Sequence, residues 1–78
     1  MPKILPLKPR EVLSILYKAG FIKWRQKGSH LSLYRKSDNR SLTIPIHFNK
    51  DMPKGTLRVI ISQAGMTVDE FLSLKRKR

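Results

Sequence analysis

The sequence predicts a small α+β domain in which a helix, three antiparallel strands, a second helix and a short terminal helix follow one another. The spacing of apolar residues changes from helical to alternating near Gly20 and returns to helical after Asp51. A length of 78 residues suits one domain with a modest core, and no internal repeat is visible. We therefore expect one domain over residues 1–78, with a basic tail at 75–78 and the helices on one face of the sheet.

The first helix is indicated by the segment KPREVLSILYKAG. Pro9 suits a first helical turn, because its fixed φ matches the helix and its missing N–H has no helical partner there. Gly20 is placed to end the helix in the left-handed conformation. The apolar residues between them recur at helical spacing: Val12, Leu13, Leu16 and Tyr17.

Two strands joined by a tight turn are predicted next. Apolar and basic residues alternate from Phe21 to Gln26, and apolar and polar residues alternate from His30 to Arg35. Lys27-Gly28 is the expected turn between them, with Gly28 at the position that requires positive φ.

A third strand is predicted after a polar loop at Ser37-Asp38-Asn39. Pro45 has no N–H to donate to a neighbouring strand, so this strand is expected at the edge of the sheet. Its apolar residues alternate with polar ones: Leu42, Ile44 and Ile46.

Helical spacing returns in the last third of the chain. Gly65 is expected to end the second helix, whose apolar residues fall at i, i+3, i+4 and i+7: Leu57, Ile60, Ile61 and Ala64. Thr67 and Glu70 have the spacing of a capping box. They predict a short last helix with three apolar residues: Phe71, Leu72 and Leu74.

Pairing across the predicted turn divides the sheet into two faces. With Lys27-Gly28 as the turn, Arg25 is expected to pair with His30 and Trp24 with Leu31. The face toward the helices should then hold Ile22, Trp24, Leu31, Leu33, Leu42, Ile44 and Ile46. The opposite face, called here the open face, should hold Phe21, Lys23, Arg25, His30, Ser32, Tyr34, Thr43, Pro45 and His47. It is basic and has no carboxylate.

The net charge of +12 indicates that the partner of this protein is anionic. Seventeen Lys and Arg residues outnumber five Asp and Glu residues. Such an excess destabilises the compact state by self-repulsion, so an anionic partner is the expected compensation. Nucleic acid is the first candidate and an acidic protein the second. No membrane association is expected, because the sequence shows neither a basic amphipathic helix nor an apolar run of about 20 residues.

Cysteine is absent, which excludes disulfides and thiolate metal sites and suits a reducing compartment such as the cytoplasm. The N-terminal MPKILPLKPR is interrupted by prolines and lacks the apolar region of a secretory signal, so none is expected.

His30 is the candidate for acid–base chemistry, because imidazole titrates near neutral pH and Lys and Arg surround it. The sequence shows no Gly-rich phosphate loop and no carboxylate pair, and two distant histidines with five scattered acids are a poor supply of metal ligands. We therefore expect no metal and no other cofactor. This setting suits cleavage of an RNA phosphodiester, with imidazole taking the 2′-OH proton or protonating the leaving oxygen. An exposed histidine without a chemical role is the simpler alternative.

Three sequence blocks, in this order, resemble the HicA toxins of bacterial and archaeal toxin–antitoxin pairs. They are RQKGSH at 25–30, TIPIH at 43–47 and KGTLRVIISQAGMTVDEF at 54–71, and the likeness runs from about Val12 to Leu74. The resemblance implies a fold like the double-stranded RNA-binding domain and an mRNA-cleaving ribonuclease with His30 as the catalytic histidine. It also implies an acidic or mixed antitoxin of the HicB type that blocks the histidine face.

The residues expected to contact RNA are concentrated around His30: Lys23, Arg25, Lys27, Ser29, Tyr34 and Arg35. Gly28 is expected to be the turn residue that presents His30. A solvated basic surface is the alternative for the charged residues, and an ordinary cross-strand aromatic is the alternative for Tyr34. Trp24 is predicted to be a core residue rather than a platform for a base.

His47 is a possible auxiliary residue whose role depends on the pairing offset between the second and third strands. If Arg35 pairs with Leu42, His30 lies opposite His47, and the two imidazoles are close enough to influence each other. If the offset slips by two residues, His30 lies opposite Pro45. Both offsets put the same apolar residues on the helix side.

Two other functions fit the same composition. One is a non-catalytic RNA-binding module of the double-stranded RNA-binding type, which shares the fold and the charge but does not cut. The other is an interaction protein whose basic face serves an acidic protein partner.

Overall fold

The predicted order of elements is confirmed in the computed structural model, which describes residues 4–46 and 50–76. The strands form one antiparallel sheet in the order β1-β2-β3, so β3 lies at an edge as Pro45 predicted. The helices cover one face of this sheet, as expected for an α+β fold like the double-stranded RNA-binding domain. The elements are α1 (Pro9–Lys18), β1 (Ile22–Lys27), β2 (His30–Arg35), β3 (Arg40–Pro45), α2 (Lys54–Gln63) and α3 (Val68–Arg76).

The core lies between the sheet and the helices, where the alternation of β2 and β3 meets the helical spacing of α1 and α2. The segment before α1 adds to it, because the N–H of Met52 donates to the carbonyl of Leu7 at 2.7 Å and both side chains are buried. No polar or charged side chain of the described residues is buried. The main core residues are Val12, Ile15, Leu16, Phe21, Leu31, Leu33, Leu42, Ile44, Leu57, Ile60, Ile61 and Phe71.

α1 and α2 end in the same way, with an Ala at the C-cap followed by a glycine at positive φ. After α1, Gly20 has a φ of +101°, and the N–H of Phe21 reaches back to the carbonyl of Leu16 at 3.0 Å. After α2, Gly65 has a φ of +72°, and the N–H of Met66 reaches back to Ile61 in the same way. These bonds define Schellman motifs, which reverse the chain tightly. The first one turns Phe21 into the core before β1 begins.

Arg35, at the end of β2, binds the carbonyls that both helices leave unpaired at their C-termini. Its guanidinium donates to the carbonyl of Ala19 at 2.9 Å and to that of Ala64 at 3.2 Å. It also donates twice to the Asp38 carboxylate, at 3.0 and 2.7 Å, and lies 4.6 Å from the centre of the Phe21 ring. The hydrogen bond with Arg35 lowers the pKa of Asp38 and raises that of Arg35. We call these residues the Arg35 cluster.

The capping box predicted for α3 is present. The N–H of Thr67 donates to the Glu70 carboxylate at 2.9 Å, and the N–H of Glu70 donates to the Thr67 hydroxyl oxygen at 3.1 Å. Hydrogen bonding of the Glu70 carboxylate, first to the backbone of Thr67 and then to the Thr67 side chain, lowers the pKa of Glu70. α3 runs through Arg76, so the first two residues of the predicted basic tail are helical. None of the described helices is long and apolar enough to cross a membrane.

The predicted pairing of β1 with β2 is wrong by two residues next to the turn and by one residue beyond a bulge. Lys27 pairs with His30 and Arg25 with Ser32, so Gly28-Ser29 forms the turn instead of Lys27-Gly28. A β-bulge between Lys23 and Arg25 inserts one extra residue into β1. The bulge, and not the two-residue change in pairing, alters which β1 side chains face the helices, because only an odd number of residues reverses the alternation.

Four residues of the predicted faces are corrected by this pairing. Ile22 and Trp24, expected in the core, are 60% and 58% exposed. Phe21, expected on the open face, is 1% exposed and belongs to the core. Lys23 pairs with buried Leu33 and so lies toward the helix side of the sheet.

Of the two offsets considered for β2 and β3, the structure has the one that is slipped by two residues. Arg35 pairs with Arg40 and His30 with Pro45, so the pairing of His30 with His47 is wrong. A two-residue difference preserves the apolar alternation, which is why the sequence pattern could not separate the two offsets. His47 lies outside the described residues.

The Arg35 cluster predicts how the Asp38→Asn variant will respond to acid. Because Asp38 has a lowered pKa when folded, it stabilises the protein above the unfolded carboxyl's pKa of about 3.9. That stabilisation is lost as the pH falls through the lowered folded pKa. Asp38→Asn should therefore melt at a lower temperature than the wild type near neutral pH, with the difference shrinking toward about pH 2.

Thermal melting at several pH values checks this expectation. Asp51→Asn, which changes an exposed aspartate outside the Arg35 cluster, is the matched control. Equal melting curves for Asp38→Asn and wild type near neutral pH would contradict the proposed contribution of Asp38.

Candidate active site on the basic hairpin

The basic hairpin consists of β1, β2 and the turn at Gly28-Ser29, and its sharp reversal determines where His30 lies. Gly28 has a φ of +59°, and Ser29 is not among the residues with positive φ. A two-residue turn that needs positive φ only at its first position is the type II′ turn, which favours glycine there. His30 follows at once as the first residue of β2, with Lys27 directly opposite on β1. The turn thus places Lys27 and His30 opposite each other, with their side chains on the same face of the hairpin.

Hydrogen bonds hold this turn from both sides. The N–H of Ile46 donates to the carbonyl of Ser29 at 2.6 Å, which extends the pairing of β3 beyond His30. On the other side, the Gln26 amide donates to the carbonyl of Gly28 at 3.3 Å. The backbone around His30 is therefore fixed, while its side chain is exposed to solvent.

The open face around His30 is polar and positively charged. Arg25 lies opposite Ser32, and the Ser32 hydroxyl forms a 3.2 Å hydrogen bond with that of Thr43 on β3. Of the strand residues that the structure describes on this face, none is acidic. By pairing, these residues are Ile22, Arg25, Lys27, His30, Ser32, Tyr34, Ser41, Thr43 and Pro45.

The structure puts the predicted RNA contacts at different places on the sheet. Arg25 and Lys27 share the open face with His30, whereas Lys23 lies toward the helix side of the same exposed edge strand. Ser29 is exposed in the turn. Tyr34 is half-buried at the far end of β2, and its hydroxyl donates to the Asn39 side chain at 2.7 Å.

Arg35 is placed differently from the other predicted contacts. It alternates with Leu33 and Leu31 onto the helix side of β2, away from His30. Its guanidinium is engaged by the Arg35 cluster, and its side chain is only 18% exposed. We therefore assign Arg35 to the fold and do not include it among the residues that face a ligand at His30.

Two features near His30 were not predicted from the sequence. One is the exposure of Trp24, which the regular alternation of β1 had placed in the core. The other is a cavity of about 290 Å³ beside Pro45, the residue opposite His30. Pro9, Pro45, Met52 and Pro53 form much of its wall, and Lys50 and Asp51 also line it. Only the spatial approach of α1 and the segment before α2 creates this cavity, so no local pattern could indicate it.

Metal ligands are not gathered in the described part of the chain. Within residues 4–46 and 50–76, no group of three His, Asp or Glu side chains could hold a metal ion together. The groups on the face of His30 can supply proton transfer by imidazole and charge stabilisation by ammonium and guanidinium groups.

Comparison with known proteins relates this arrangement to one family. A family model described as the HicA toxin of bacterial toxin–antitoxin matches residues 9–66, which span α1, the whole sheet and α2. The match therefore includes the basic hairpin and His30. No curated protein matches the chain at a significant level.

The turn geometry predicts a clear difference between two glycine substitutions. An added Cβ at Gly28 would meet nothing within 4 Å, so the cost of Gly28→Ala comes from its positive φ alone. We expect a loss of about 1–2 kcal/mol in the free energy of unfolding, measured by denaturant titration.

Gly55→Ala is the matched control, because Gly55 also has open space around its Cβ but lies in helical conformation in α2. It should be neutral or stabilise the protein by up to about 1 kcal/mol. Equal destabilisation by the two substitutions would mean that the φ of Gly28 is not what the turn requires.

Proposed function

The chain belongs to the HicA family of toxins from bacterial toxin–antitoxin systems, and on this premise we propose that it is a ribonuclease that cleaves mRNA with His30 as its catalytic residue. The supporting observation is the setting of His30. An exposed imidazole is fixed at the start of β2, with Lys27 opposite it and no carboxylate among the described strand residues of its face.

Cleavage of a phosphodiester requires that the attacking oxygen loses a proton and that the leaving 5′ oxygen gains one. Imidazole is suited to either transfer near neutral pH. Negative charge also grows on the phosphate oxygens during attack, and fixed cations nearby stabilise it. Lys27, directly across from His30, and Arg25, two residues back along β1, are placed to supply this positive charge.

Two routes are compatible with this arrangement, and a substrate change separates them. If the 2′-OH of the RNA attacks, replacing the ribose at the cleaved position with deoxyribose removes the nucleophile and stops the reaction. If water attacks, the deoxyribose substrate is still cut. In both routes His30 moves a proton, and neither route needs a metal-bound nucleophile.

The basic hairpin is the proposed surface for the RNA backbone. Arg25 and Lys27 lie beside His30 and are assigned to the phosphates flanking the scissile bond. Lys23 and Ser29 are assigned to more distant backbone contacts on the same edge, and the half-buried ring of Tyr34 to the far end of the open face.

Membership of the family implies a cognate antitoxin as protein partner. We infer that this antitoxin is of the HicB type and covers the basic hairpin with an acidic surface, since opposite potentials favour such a complex. Because that surface would meet Arg25 and Lys27, charge reversal at either residue should weaken antitoxin binding, measured directly by titration calorimetry with the purified antitoxin.

The catalytic assignment predicts the behaviour of the His30→Ala variant. The purified wild-type chain should cut single-stranded RNA in the presence of EDTA, and His30→Ala should lose about 100-fold or more of that rate. Because His30 is exposed, the variant should keep the fold, which circular dichroism and thermal melting can verify.

Ser41→Ala is the matched control, because Ser41 is an exposed residue of the same face near the opposite end of the hairpin. Cleavage by His30→Ala at the wild-type rate would refute the assignment. A wild-type chain that binds RNA without cutting it would instead support the non-catalytic RNA-binding module.

The proposed phosphate contacts predict a change in the salt dependence of RNA binding. Each phosphate contact on a single strand adds about 0.7 to the slope of log affinity against log salt. Arg25→Ala and Lys27→Ala should each lower the slope by about this amount. Lys36 follows the end of β2 that is distant from His30, so Lys36→Ala should leave the slope unchanged. An equal change of slope in all three variants would argue against a contact centred on His30.

A further inference from the structure

Trp24 is the one tryptophan of the chain, and the β-bulge in β1 leaves it 58% exposed to solvent. A tryptophan has the largest apolar surface of any side chain and is usually mostly buried. The core does not lack an aromatic residue at this point, because Phe21 fills it three residues earlier. The exposed indole therefore needs a reason other than packing within the domain.

The position of Trp24 relates it to His30. Its neighbour Arg25 pairs with Ser32, which lies two residues along β2 from His30. Two residues of a β-strand span about 7 Å, a distance on the scale of one nucleotide. β-Bulges are frequent next to active sites, where they re-aim a side chain.

The charges around Trp24 indicate what kind of molecule would cover it. Lys23 and Arg25 flank it in sequence and Lys27 follows. All three are exposed on an edge strand, beside which the described residues place no further strand on the outer side. An exposed aromatic ring between cations is the composition of surfaces that bind single-stranded nucleic acid, in which bases stack on rings and phosphates contact Lys and Arg. An apolar protein surface would instead have to desolvate these three charges.

We propose that Trp24 is a binding residue on which an unpaired RNA base stacks, one or two nucleotides from the phosphate held at His30. This inference rests on the proposed ribonuclease function and deepens it. It identifies the substrate as single-stranded RNA even though the fold is like that of double-stranded RNA-binding domains, because the bases of a duplex are stacked on each other and cannot reach an indole. It also makes the stacking strength of this base a determinant of where the RNA is cut.

Because the chain has a single tryptophan, its fluorescence reports on this residue alone. The full-length chain with His30→Ala is titrated with a short single-stranded RNA, so that binding is observed without cleavage. Stacking predicts saturable quenching of the indole emission by single-stranded RNA and much less by a duplex of the same sequence. Absence of quenching by an RNA that does bind, as judged from the anisotropy of a labelled strand, would overturn the proposal.

Substitutions at Trp24 test the contribution to affinity. Trp24→Ala should weaken binding of the single strand on the order of 10-fold, whereas Trp24→Phe, which keeps an aromatic face, should lose much less. Ile22→Ala is the matched control, because Ile22 is an equally exposed apolar residue of the same strand and should have little effect. Equal losses for Trp24→Ala and Ile22→Ala would show that only general apolar contact is involved and would overturn stacking.

A scan with one abasic nucleotide locates the stacked base. With Trp24 present, one position close to the cleaved bond should show reduced affinity, and this reduction should disappear in Trp24→Ala. A positional effect that persists in Trp24→Ala would contradict the assignment.

If RNA binds the chain and quenches its indole emission but is never cut, the stacking proposal holds while the ribonuclease assignment fails. If Trp24→Ala cuts RNA at the wild-type rate and the His30→Ala chain shows no quenching when it binds RNA, the stacking proposal fails while the ribonuclease assignment stands. Quenching by a protein partner but not by RNA would assign Trp24 to a protein interface and overturn the proposal.

Discussion

The arrangement of the domain depends on the contacts that the guanidinium of Arg35 makes. It joins the C-terminal carbonyls of α1 and α2, the Asp38 carboxylate and the Phe21 ring around the end of the central strand. A planar group with donors in fixed directions can satisfy several acceptors at once, which an ammonium group cannot do in the same way. Since β2 pairs with both other strands, the orientation of the whole sheet against the helices follows from this anchoring.

Three of the five acidic residues are used in contacts away from the open face. Asp38 binds Arg35 and Arg40, Glu70 caps α3, and Glu11 lies 3.7 Å from Lys75. These contacts are at the helix ends and in the loop after β2. The cations near His30 therefore have no carboxylate partner on their own face among the described strand residues, and their field is left for a ligand.

Most of the fold was predictable because buried alternation and helix-ending signals act locally. β2, the edge position of β3, the glycines after α1 and α2 and the Thr67 capping box all follow from such signals. β1 was also predicted as a strand, but its register and faces were not, because every residue of this edge strand is exposed and no buried pattern fixes its register. A bulge has no clear sequence signature, so Trp24 was expected in the core. The assignment of His30 rests on its motif and its basic neighbours and stays a prediction, whereas its pairing with Pro45 depended on an offset that apolar alternation leaves open.

The two edges of the sheet have a consequence for the behaviour of the protein at high concentration. Exposed edge strands tend to pair with those of other copies and so begin aggregation. Here β1 presents Lys23, Arg25 and Lys27 with a bulge among them, and β3 ends in Pro45, which cannot donate to a neighbouring strand. Like charges along one edge and a missing donor on the other oppose the pairing of this sheet with sheets of other copies.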